Sequence, residues 1–64
     1  MLTMWGIVQA WITASEGRTL KMQTDRLGLC VVLDCPVLGN ARERVKTDED
    51  PSKAAMRAIS RLGI

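Results

Sequence analysis

The residues of this chain whose types could do chemistry are Cys30 and Cys35, the acids Asp48, Glu49 and Asp50, and a scatter of arginines and lysines. The thiols lie five positions apart. They could close a bridge across a turn in an oxidising compartment, or stay reduced in or beside a core. Two cysteines cannot complete a closed zinc site, and the sequence supplies no histidine, the commonest general base and metal ligand. Three consecutive acids could attract a cation. Pro51 follows them, however, and Asp50-Pro51 is the signature of a helix start. No Ser or Cys has a base partner nearby in sequence. Glycines 6, 17, 28, 39 and 63 form no phosphate-binding loop. The expectation is a chain that is not an enzyme and carries no metal and no cofactor.

The elements that would position these groups are readable in part. From Asp50 onward the residues spell a helix over about 51–62: an N-cap aspartate, proline at the first helical position, acids before it, Arg57 and Arg61 toward its end, and Gly63 to stop it. Ala55, Ala58, Ile59 and Leu62 repeat at helical spacing, with Met56 at the margin, and small alanines suit close packing on a sheet. Lys53, Arg57 and Arg61 recur every four residues on the outer side. They form a solvated face, or a contact for phosphates or an acidic protein surface.

Upstream, "RTLKMQT" alternates, with Leu20 and Met22 on one side and Thr19, Lys21 and Gln23 on the other. "DRLG" reads as a turn. "LCVVL" is a short apolar run suited to a central strand, ended by Pro36. "ARERVKT" alternates again, setting Arg42, Arg44 and Lys46 against Ala41, Glu43 and Val45, as an edge strand does. Residues 4–14 admit two readings. A helix lines up Met4, Val8, Trp11 and Ser15. A strand is favoured by the Ile, Val, Trp and Thr content and by Gly6, with "SEGR" as a hairpin turn after it. The fold class expected is therefore α+β: an antiparallel sheet of three to four strands with one C-terminal helix packed on one face, β-β-β-(β)-α.

Sixty-four residues make one domain, 1–64, near the lower edge of independent stability. The 47% apolar content is that of a folded chain, yet Trp5 and Trp11 are its only aromatic residues. The core must be built from smaller side chains, and a homodimer or a bound partner would relieve that shortage. The net charge of +2 is mild: it permits contact with nucleic acid without arguing for it. "MLTMWGIVQAWITAS" is uncharged but shorter than the ~20 residues of a membrane span, and it lacks a basic start. A cytoplasmic protein with no membrane contact is the expectation.

If residues 4–14 form a strand, one helix covers only one face of the sheet, and Trp5, Ile7 and Trp11 are left on the other as a protein-binding patch. The runs "TLKMQTDRLGLCVVLD" and "RVKTDEDPSKAAMRAISRLG" give the chain a design that resembles small phage-encoded inhibitors of host defence such as anti-CRISPR proteins. Several of these are tiny β-sheet domains with one packed helix. The resemblance covers most of the chain and lies in architecture and size. It implies a non-catalytic protein that blocks a nucleic-acid-guided effector by occupying its surface. A different class is suggested by "RVKTDEDPSKAAMRAISRL". It is similar to the last strand and helix of double-stranded-RNA-binding domains and to the related half-fold of HicB-type antitoxins, which place basic groups near phosphates. Here the helix opens with three acids rather than lysines, so nucleic-acid contact falls to Arg42, Arg44 and Lys46, with Arg57 and Arg61.

Overall fold

The computed structural model describes residues 3–63, so residues 1, 2 and 64 of the expected domain lie outside the described residues. The chain runs α1 (Met4–Thr13), β1 (Thr19–Asp25), β2 (Gly28–Cys35), β3 (Gly39–Arg44) and α2 (Pro51–Arg61). The three strands form one antiparallel sheet in the order β1-β2-β3. The α+β class and the antiparallel sheet are as the sequence implies. The N-terminal segment is not: it is a helix, so the sheet has three strands and two helices accompany it.

The apolar positions explain the difference. Met4, Trp5, Ile7, Val8, Trp11 and Ile12 occupy both parities of a strand, which would require cover on both faces. A helix brings them round to one side. Val8 and Trp11 are buried in the core, and Trp5 and Ile12 pack at its margin. The Thr3 hydroxyl caps the first turn, accepting from Gly6 N–H at 3.0 Å. Packing of this kind outweighs the ~1 kcal/mol that Gly6 costs in a helix interior. "SEGR" is accordingly a helix-to-strand loop rather than a hairpin, with Gly17 at φ 84°.

β2 is the central strand. Val31, Leu33 and Cys35 face the helices and are buried, while Val32 and Asp34 face away. Burying Val31 and Leu33, both 0% exposed, stabilises the fold by about 1.5–3 kcal/mol each. α2 lies over β2 and β3 and against α1. Its Ala54, Ala55 and Ala58 have no exposed surface, so the alanine stripe does set the helix close to the sheet. Asp50 caps α2 by accepting from Ser52 N–H, Pro51 opens it, and Gly63 follows its end at φ 88°. The turn "DRLG" closes the β1–β2 hairpin, with the Asp25 carboxylate accepting from Leu27 N–H at 2.8 Å.

No helix among the described residues is long and apolar enough to cross a membrane.

Candidate functional site

The three residues expected to form one docking patch lie on a helix and do not share exposed surface. Trp11 is 8% exposed and belongs to the core. The Arg18 guanidinium carbon sits 4.2 Å from the centre of its indole, and Arg18 Nη1 donates to the Trp11 carbonyl at 2.7 Å. Arg18 thus places a cation at the negative end of α1, a role no local sequence signal announces, since it acts across the loop. Ile7 is exposed. Trp5 is half-buried and packs at the margin of the core. The strand-borne patch of Trp5, Ile7 and Trp11 therefore does not exist as such.

A different apolar feature takes its place. Trp5, Val8, Gln9 and Ile12 of α1 and Leu20 of β1 line an open cleft of about 460 Å³. It exists because α2 covers β2 and β3, whereas α1 leans on α2 more than on β1. The helix-facing side of β1 is left incompletely covered: Leu20 is half-buried and Met22 is 46% exposed.

The cleft runs beside an unpaired edge. Val45 N–H donates to the Leu29 carbonyl at 2.9 Å, so Leu29 turns its hydrogen-bonding groups to β3. By the alternation of an antiparallel ladder, Cys30, Val32 and Asp34 turn theirs to β1, where they meet Gln23, Lys21 and Thr19. Leu20, Met22 and Thr24 are left with amides and carbonyls directed away from the sheet. Among the described residues nothing bonds to them.

The opposite edge is guarded. Arg57 Nη2 of α2 donates to the Arg44 carbonyl at 3.0 Å, and Arg61 Nη1 donates to the Arg42 carbonyl at 3.4 Å. Both guanidinium groups are held in place by acids. Arg57 pairs with Glu43 at 3.2 Å and with Glu49, and Arg61 pairs with Glu43. Glu49 also accepts from Lys46 N–H at 2.9 Å. These contacts lower the Glu49 carboxyl to about 2, with Arg57 the chief cause, and lower Glu43, with Arg61 the chief cause. The expected outer stripe is thus divided: Lys53 is exposed, while Arg57 and Arg61 close over β3.

Arg42 and Arg44 do lie on the face away from the helices, opposite Ala41 and Glu43, as their alternation implies. Arg44 forms a two-pronged pair with Asp25, at 3.0 and 3.1 Å, that reaches across β2. That pair lowers the Asp25 carboxyl to about 2. Arg42 reaches across to Gln23 at 3.3 Å. Cys30, whose neighbours across the ladders are Gln23 and Arg44, is 2% exposed on this same face. Lys46, beyond β3, and Lys21, on β1, are exposed with no carboxylate within 4.0 Å among the described residues.

The two cysteines are free and buried. An odd spacing on one strand sends them to opposite faces, so they do not bridge within the chain. The N–H groups of Leu38 and, less strongly, Val37 aim at the Cys35 sulfur, with Arg18 nearby, and lower its thiol below the ordinary value. Among the described residues no group of three or more Cys, Asp and Glu gathers as a metal site would require.

Comparison with known proteins adds no name to this geometry: no family model, no curated protein and no solved structure matches the chain.

Proposed function

We propose that this chain is a non-catalytic protein-binding module that takes an extended segment of a partner onto the β1 edge, with side chains entering the adjoining cleft. The observation that carries the reading is the asymmetry of the two edges. Exposed edges invite strand addition, and folded proteins commonly block them. Here β3 is covered by Arg57 and Arg61, while β1 is left bare beside apolar surface. Added strands gain affinity from main-chain hydrogen bonds and specificity from pockets for alternate side chains, and β1 with its cleft offers both. The resemblance to phage-encoded inhibitors gives this reading its sharper form, in which the partner is a nucleic-acid-guided effector of host defence.

A second reading, nucleic-acid binding, draws on Arg42, Arg44, Lys46 and Lys21 away from the helices. It has less support, because Arg44, Arg57 and Arg61 already hold carboxylates. The two are separated by placing a photo-crosslinking amino acid at position 22 or at position 42 in cells of the native host. Protein crosslinked at 22 and not at 42 supports strand docking. Nucleic acid crosslinked at 42, with binding that falls steeply as salt rises, transfers the function to the second reading.

A further inference from the structure

We infer that the segment received by β1 carries one acidic residue between two apolar ones. This rests on the docking reading above and specifies its partner. A strand laid along Leu20, Met22 and Thr24 must alternate its side chains between the two faces of the sheet. On the helix side its residues meet Leu20 and Met22, with Trp5 and Ile12 as the far wall of the cleft. Apolar side chains fit there. On the other side the nearest position of β1 is Lys21, exposed and without a carboxylate within 4.0 Å among the described residues.

The charges around Lys21 set the number of acids. Arg42 and Arg44 share its face but engage Gln23 and Asp25. Asp25 ends β1 in one direction, and Asp34 faces Thr19 in the other. A second acid toward Thr19 would approach Asp34, and one toward Gln23 would have to compete with Gln23 for Arg42. One acid, centred on Lys21, is the complementary arrangement, and its two neighbours in sequence are the residues that enter the cleft. A second copy of β1 is a poorer occupant. Antiparallel pairing about Met22 sets Lys21 opposite Gln23, and pairing about Gln23 sets it opposite Asp25, whose carboxylate Arg44 already holds at 3.0 and 3.1 Å.

The test uses the whole chain and capped heptapeptides of sequence Ser-Thr-Val-Glu-Val-Thr-Ser, with Lys or Gln replacing Glu in two counterparts. Binding is followed at low salt by the backbone amide shifts of Leu20, Met22 and Thr24. The Glu peptide is expected to bind about three- to tenfold more tightly than the Lys peptide, the range of an exposed ion pair against its repulsive counterpart. The exposed substitution Lys21→Glu should invert that order. Equal affinity for all three peptides, with the β1 amides still responding, overturns the acidic assignment and leaves strand docking standing. No response at β1 to any peptide overturns both. Shifts at β1 that depend on protein concentration without peptide assign the edge to a second copy and overturn the inference.

Discussion

Gly17 is the position where a single added carbon should do most harm. The residue sits at φ 84° in the loop between α1 and β1, and an ideal Cβ there would stand 2.6 Å from Cγ of Pro36. A proline ring cannot swing aside as a flexible side chain would, so the α1–β1 loop or the β2–β3 turn has to move. The left-handed backbone costs a non-glycine residue about 1–2 kcal/mol. Overpacking of this severity adds about 1–3 kcal/mol. The smaller entropy of the unfolded alanine chain returns about 0.4–1 kcal/mol. The sum for Gly17→Ala is a loss of about 1–5 kcal/mol, against a total stability of about 3–10 kcal/mol for a domain of this length. Gly39→Ala is the internal control. It has φ 97° but open space where the Cβ would stand, so it carries the backbone penalty without the contact. Urea unfolding of the two variants should differ by about 1–3 kcal/mol. Adding Pro36→Ala to Gly17→Ala should recover most of that difference, since it removes the ring carbons in the way. If Gly17→Ala and Gly39→Ala unfold at the same urea concentration, the loop does not press on Pro36 and the reasoning fails.

Two further outcomes follow from the charge network. Glu49 and Asp25 titrate at about 2 in the folded chain, below their ordinary values, so they stabilise it above those ordinary values and the benefit is lost as pH falls toward 2. The urea midpoint should hold from pH 7 to about 5 and drop below that, and Glu49→Gln should flatten the drop; an unchanged acid limb in that variant argues against the Arg57 pairing. Arg57→Ala removes a hydrogen-bond donor from the β3 edge and should raise concentration-dependent self-association in sedimentation, whereas Lys53→Ala, on the exposed side of the same helix, should not. Equal association in the two variants would mean that Arg57 is not what guards β3.

What the sequence disclosed follows from how local each cause is. α2 was legible in its cap, its proline, its alanines and its closing glycine because all of these act within a few residues. β2 and β3 were legible because alternation and apolar runs are local signals too. α1 was misread because strand propensity and helical packing compete there, and the winner is decided by α2 and the sheet, which lie far along the chain. The strand-borne arrangement expected for Trp5, Ile7 and Trp11 goes with it, since those residues lie on α1. The cleft could not be seen at all: it is the gap between α1 and β1, and no run of residues encodes a gap. Nor could the pairing of Arg57 with Glu43 and Glu49, although glutamates 14 and 8 residues before a helical arginine were available as partners.

A sheet with only one available flank has a valence of one. On the docking we propose, each molecule would recruit a single guest strand along β1, since Arg57 and Arg61 cover the far side of the sheet. Head-to-tail rows need a donor edge and an acceptor edge on every unit, and among the described residues Arg57 and Arg61 stand in the way of such a row at β3. Its complexes should be finite, one guest for each molecule, and their stoichiometry should not change however concentrated the mixture becomes.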